Sequence, residues 1–169
     1  MHIFLTGELQ VGKSTALRKF LSMPGITADG FITFFDTPEN PERGGSLLLA
    51  TFDTEYGIRK SRRVAFVSEE KLEIYSEVFD TFGADVLASA GQRSFIVMDE
   101  LGVFEKNSPL FLAEVMRRID GSIPVVGVIK MKQTAFLDAV RAHQNVEVLT
   151  VTADNRDTIP SMLLDRFGG

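Results

Sequence analysis

Gly7, Gly12, Lys13 and Ser14 stand close to the start of the chain in the spacing G-x-x-x-x-G-K-S. A chance match in a chain of this length is on the order of half a percent at ordinary residue usage. The chemistry such a pattern serves is phosphate binding. Glycine lets the backbone turn so that successive N–H groups converge on an anion. A helix starting at the lysine adds the positive end of its dipole. Lys13 is then placed at an exposed, phosphate-facing helix start, reaching the β and γ phosphates, and the Ser14 hydroxyl can ligate Mg2+. The whole segment Gly7-Glu8-Leu9-Gln10-Val11-Gly12-Lys13-Ser14-Thr15 is the expected nucleotide-binding loop.

A second pair lies far along the chain. Phe95-Ile96-Val97-Met98 is a continuous apolar run that closes on Asp99-Glu100. A carboxylate at the end of a buried strand beside a phosphate loop is suited to hold the hydrated Mg2+, and Asp99 takes that part. Glu100 is then the natural base for an attacking water. On their own these two acids would read as an ordinary strand end; the phosphate loop is what makes them chemical candidates.

The elements that must position these groups follow from periodicity. Ile3-Phe4-Leu5 is a short buried strand stopping at Thr6-Gly7, and Ala16, Leu17, Phe20 and Leu21 recur at helical spacing after Lys13. Strands are expected over residues 29–35, 47–52, 64–67, 95–98, 124–129 and 146–151. Residues 36–45, rich in Pro, Gly, Asn and Glu, read as an exposed loop or hairpin connection. Residues 68–90 read as helical, with Leu72, Tyr75, Val78, Phe79 and Phe82 facing inward. Further helices are expected from Ser108-Pro109, with Ser108 as cap, over residues 134–143, and after Asp157 as cap. Alternating strands and helices indicate an α/β fold with a largely parallel sheet, in one domain spanning residues 1–169.

Composition narrows the function classes. The chain has 169 residues, no cysteine and a formal charge of −5. Disulfides, thiolate metal sites and cysteine nucleophiles are excluded, and the negative balance argues against a general nucleic-acid binder. Arg59-Lys60-Ser61-Arg62-Arg63 is a solvated strand edge or loop on the usual fate of short charge runs. No stretch approaches the ~20 apolar residues of a membrane span. The N-terminal segment has no secretory signal, so a cytoplasmic location is expected. His2 and His143 have no partners at ligand spacing, and most of the 14 phenylalanines fall at core positions, with one or two of Phe31, Phe34 and Phe35 exposed.

Asp99-Glu100-Leu101-Gly102-Val103-Phe104-Glu105, with Ser108 and Phe111 beyond, resembles the D-E-[IL]-G-x-M-E…S…F signature of a small P-loop nucleoside-triphosphatase family, the cancer-related nucleoside-triphosphatase type. Gly30-Phe31-Ile32-Thr33, the stretch from Ser68 to Phe79, and Asn155-Arg156-Asp157 are similar to further elements of that family. The resemblance implies a three-layer, RecA-like P-loop NTPase fold and slow, Mg2+-dependent hydrolysis of ATP, GTP and other nucleoside triphosphates with little base discrimination. It also implies that Glu105 is a second acidic group at the site and that Asn155 and Arg156 lie near the base or ribose. From the residues alone, Asn155-Arg156-Asp157 also reads as a turn and helix cap. Three departures stand out: Leu9-Gln10 where the family carries Gly and Pro, Phe34-Phe35 where it carries an acid, and Val103-Phe104 where it carries Lys-Met. A non-glycine residue inside the loop faces a left-handed backbone costing about 1–3 kcal/mol. A nucleotide or small-molecule kinase and a nucleotide-dependent binding switch with little turnover remain as alternative functions.

Overall fold

The computed structural model describes residues 1–36 and 44–168. Strands β1 (His2–Thr6), β2 (Ala28–Asp36), β3 (Gly45–Asp53), β4 (Gly57–Val67), β5 (Leu72–Ile74), β6 (Phe95–Leu101), β7 (Val125–Ile129) and β8 (Val146–Thr150) form one sheet in the order β5-β4-β3-β2-β6-β7-β1-β8. The helices are α1 (Lys13–Leu21), α2 (Ser76–Val78), α3 (Ala84–Ser89), α4 (Pro109–Ile119), α5 (Ala135–Ala142) and α6 (Ile159–Phe167). A π-helical turn, Phe79–Gly83, joins α2 to α3, and a 3-10 turn spans Phe104–Asn107.

Strands β8, β1, β7, β6 and β2 run parallel, so their C-terminal ends share one edge of the sheet. Neighbouring side chains on the central strands enter opposite cores, which is why β1, β6 and β7 carry apolar runs without alternation. Ile3 and Leu5 pack with Ala16, Leu17 and Phe20 of α1 and Ile159 and Leu163 of α6. Phe4 between them joins Phe31, Met98 and Leu87, with Phe111, Val115 and Ile119 of α4, on the other face. Two helical layers thus cover the sheet in the expected three-layer form. The phenylalanines are largely core: Phe111 lies 5.6 Å from Phe31 and 5.3 Å from Phe79, ring centre to ring centre. Phe35, at the end of β2, is about half exposed, as expected for one of its trio.

The remaining strands depart from the parallel pattern. β3, β4 and β5 extend the sheet antiparallel. Only three residues, Thr54-Glu55-Tyr56, join β3 to β4, and so short a link permits only a hairpin. The Asp53 carboxylate closes that turn by accepting the N–H groups of Glu55 and Tyr56. The loop reading of residues 36–45 falls largely outside the described residues. β4 begins at Gly57 rather than Val64, which puts Arg59, Lys60, Arg62 and Arg63 on a strand with exposed side chains.

Three local expectations are corrected. Residues 72–74 form a strand rather than helix, because Leu72 and Ile74 pair with Val67 and Ala65 and complete the end of β4; Leu72 is exposed. The helix at Pro109 begins where expected, yet Ser108 does not cap it. Its hydroxyl donates to the Ser76 carbonyl (3.0 Å), and the N–H groups of Leu110 and Phe111 are accepted by Asp80 Oδ1 at 2.8 and 3.0 Å. Asp157 likewise caps nothing: its carboxylate pairs with Lys19 at 3.1 Å, drawing α6 toward α1. Among the described residues, no helix is long and apolar enough to cross a membrane.

Candidate active site

β1 delivers the chain to the loop between Thr6 and Lys13. Gly7 has φ +143°, and a Cβ there would sit 2.4 Å from the Val151 carbonyl oxygen, so only glycine lets the loop leave the strand beside β8. Gly12, at φ +109°, turns the loop into α1. Gln10 carries the left-handed backbone expected of this altered loop, with φ +58°. Leu9 projects at the tip, 84% exposed.

Lys13 is buried rather than exposed. Its ammonium folds over the loop, donating to the carbonyls of Gly7 (2.9 Å) and Glu8 (2.7 Å). In the first turn of α1, the Ser14 hydroxyl donates to Asp99 Oδ1 at 3.0 Å, joining the helix start to the end of β6. Asp99 is 1% exposed, and its second oxygen, Oδ2, is buried with no hydrogen-bond partner among the described residues. Burial pushes its carboxyl up to about 6, against the opposing pull of the Ser14 bond and more distant Arg18 and Lys13. A buried carboxylate with a free oxygen beside a hydroxyl is the oxygen-donor set a hard divalent cation takes. Among the described residues no cluster of three acids or histidines exists to cage a metal.

Glu100 follows Asp99 at the rim, its side chain 24% exposed. Its carboxylate faces Lys130, whose Nζ lies 3.4 Å from Oε1. Lys130 was not a sequence candidate. The available signal was the one that marked Asp99, a charged residue closing the apolar run Val125–Ile129. Val103 stands where the resembled motif has a lysine; Lys130 brings an ammonium to the same loop from β7, 5.5 Å from the Phe104 ring. Glu105 is buried, and its Oε1 accepts the Gly102 N–H, folding residues 102–105 back on themselves. Burial raises its carboxyl above the usual range, opposed by that N–H and by Lys130.

On the other side of the loop, Gln10, Gly12, Thr15, Ala16, Lys19, Arg156 and Asp157 line a cavity of about 350 Å3. Arg156 passes close to Gly12, where an added Cβ would lie 3.5 Å from its Cδ. Asn155 works on its own loop: its side chain accepts the Thr152 N–H (2.8 Å) and donates to the Thr150 carbonyl (2.9 Å). That is the turn role its residue type suggested, and it aims Arg156 at the phosphate loop. A larger cavity, about 730 Å3, lies between the β3–β4 hairpin and α3 and contains none of these groups. Size does not mark the chemistry here, since a phosphate nest is a surface of converging N–H groups.

This assembly has counterparts. The NTPase family profile matches residues 2–164. The chain is 31% identical to the nucleoside-triphosphatase THEP1 of Methanosarcina barkeri, over 99% of this chain and 97% of that protein. It is 30% identical to the human cancer-related nucleoside-triphosphatase, over 92% and 90%. In three dimensions it matches THEP1 from the hyperthermophile Aquifex aeolicus with a TM-score of 0.76, at 26% identity and 98% coverage of each chain. A match of sequence and fold over nearly the whole length, with the loop joined through Ser14 to Asp99 as above, means that the chain belongs to the NTPase family and has its P-loop fold.

Proposed function

We propose that this protein hydrolyses nucleoside triphosphates to the diphosphate and phosphate, with Mg2+ and little preference among bases. The observation that carries the reading is the Ser14–Asp99 hydrogen bond, with Asp99 Oδ2 buried and unpartnered next to it. It brings a hydroxyl at the phosphate loop and a carboxylate at the strand end to one point, with Glu100 adjacent.

In this reading the N–H groups of residues 7–15 and the start of α1 hold the α and β phosphates. Lys13 exchanges the Gly7 and Glu8 carbonyls for the β and γ oxygens. Ser14 and Asp99 would hold Mg2+, which when bound neutralises charge on the β and γ phosphates. Glu100 orients a water and takes its proton as the water oxygen attacks the γ phosphorus and the bond to the β–γ bridging oxygen breaks. The proton then leaves with phosphate or to solvent. Glu105, tied to Gly102, supports the loop that follows Glu100 at the end of β6 rather than facing the substrate.

Low base selectivity rests on the cavity beside the loop, whose polar lining comes from the exposed side chains of Gln10, Thr15, Lys19, Arg156 and Asp157 rather than from buried groups held to one donor–acceptor pattern. Affinities for ATP, GTP, CTP and UTP should fall within about tenfold, roughly 1.4 kcal/mol. The test is phosphate release from all four triphosphates with Mg2+, with and without a panel of phosphoryl acceptors, beside direct binding. Transfer to an acceptor would make the protein a kinase. Tight binding with turnover no faster than the uncatalysed background would make it a switch.

A further inference from the structure

We propose that Lys130 is a positioning residue for hydrolysis: its ammonium holds Glu100 until a triphosphate binds, then moves to the γ phosphate and frees the carboxylate to act on water. The inference rests on the hydrolase reading above and deepens it.

Topology puts Lys130 in the right place. β7 lies between β1, which carries the phosphate loop, and β6, which carries Asp99 and Glu100. The first residue past its end therefore stands between the phosphate loop and Glu100. The main chain there is fixed: the Lys130 N–H donates to the Leu101 carbonyl (2.9 Å), and the Arg141 guanidinium donates to the carbonyls of Lys130 and Lys132. The stem is guided too. It lies across Gly102, where an added Cβ would be 3.2 Å from Lys130 Cδ, and the ammonium sits near the face of Phe104. Fixed main chain and a guided stem leave the ammonium as the mobile part.

The ion pair itself is poised to exchange. At 3.4 Å it is longer than the 2.7–2.9 Å typical of a charge-assisted hydrogen bond. Both side chains are partly exposed, 38% for Lys130 and 24% for Glu100. Among the described residues Glu100 has no other ion-pair partner within 4 Å. An arriving γ phosphate brings more negative charge than one carboxylate and would be repelled by Glu100 and Asp99. Moving the lysine between them relieves that repulsion at the moment Glu100 is needed. A diphosphate lacks the group that draws Lys130 away, so the lysine should discriminate triphosphate from diphosphate.

Lys130→Met keeps the stem over Gly102 and Phe104 and removes only the charge; Lys130→Arg restores it. The measurements are kcat and KM for Mg2+-ATP, and affinities for ADP and a non-hydrolysable ATP analogue by calorimetry, with thermal melts as a check on folding. Lys130→Met is expected to lower kcat at least tenfold and weaken the ATP analogue about tenfold while leaving ADP within twofold, with Lys130→Arg recovering most of both. In a Glu100→Gln background the kcat effect should shrink, since the lysine acts through Glu100. Wild-type kcat and an unchanged ATP-to-ADP ratio in Lys130→Met would overturn the proposal, as would equal weakening of both nucleotides or failure of Lys130→Arg to rescue. If the wild type turns over no triphosphate, the hydrolase reading falls by itself, and an unchanged ATP-to-ADP ratio or its loss still decides the lysine.

Discussion

Two residues next to each other in the chain, Asp99 and Glu100, differ sharply in burial, and the proposed hydrolysis gives them different tasks. Asp99 is sealed against Ser14, whereas Glu100 stands at the rim beside Lys130. Their amides should therefore fail differently. Asp99→Asn weakens the Mg2+-dependent part of ATP binding, while Glu100→Gln leaves Mg2+-ATP binding nearly intact and slows hydrolysis by about 100-fold or more. Single-turnover hydrolysis beside equilibrium binding separates the two, and a wild-type rate in Glu100→Gln removes Glu100 as the base. Lys13 is a different case, because its ammonium already has work in the loop, bonding two carbonyls. Lys13→Ala is expected to weaken Mg2+-ATP binding roughly 10–100-fold, the scale of a lost hydrogen bond to a charged group at about 1.5–3 kcal/mol. Calorimetric titration of the folded variant tests this, and unchanged affinity would remove the lysine from phosphate binding.

At the scale of elements, contacts remote in sequence set how helices begin. The start of α4 is capped by Asp80 from the π-helical turn, about thirty positions away along the chain, rather than by the adjacent Ser108. The same turn brings Gly83 against Phe111, where a Cβ would lie 2.9 Å from the ring, so turn and helix are locked by packing as well as by the cap. Asp80→Ala should cost about 1 kcal/mol, the usual value of a lost N-cap, and Asp80→Asn only a few tenths. Urea titrations at equal m-value measure both. An Asp80→Ala protein as stable as the wild type would mean that water serves Leu110 and Phe111 equally well. α5, by contrast, is capped by the residue directly before it, with Thr134 Oγ1 accepting the Leu137 N–H.

For the molecule as a whole, acid response is a balance of buried groups that shift in opposite senses. His2 is 1% exposed with Nδ1 accepting the Val125 N–H, and burial together with the nearby N-terminal ammonium pushes its pKa down to about 4. The unfolded chain then takes up this proton first, so the His2 contribution is complete above about pH 6.5 and is lost as pH falls toward 4. It amounts to on the order of 3 kcal/mol at about 1.4 kcal/mol per unit. Asp99, pushed up to about 6, and Glu105, also raised, act the other way: the folded protein takes up their protons first, and their contribution grows as pH falls. The wild type without nucleotide or Mg2+ should change little in stability between pH 6.5 and 4. His2→Asn, which keeps an acceptor for Val125, should become more stable on acidification over that range. Urea unfolding at pH 7.5, 5.5 and 4.5 compares them, and parallel profiles for the two proteins would show that His2 is not the opposing group.

How much of this was legible beforehand follows from which interactions are local. The strand, loop and helix from His2 to Leu21 are written in contiguous residues, and Gly7, Gly12, Lys13 and Ser14 carry their chemistry in their spacing. Apolar runs that end in a charge marked β6 with Asp99-Glu100, and β7 with Lys130, because a strand covered on both faces must be apolar until it emerges at the sheet edge. Leu72 and Ile74 were misread because two apolar residues in a polar stretch suit either period, and only the free end of β4 selects the strand. The bond from Ser14 to Asp99 spans 85 positions, and Lys130 meets Glu100 because β7 inserts between β1 and β6. Sequence alone determined which residue types could do chemistry at the loop and at the end of β6, and most of the local elements that carry them. Strand order, a property of non-local pairing that no window of residues contains, decided which of them meet.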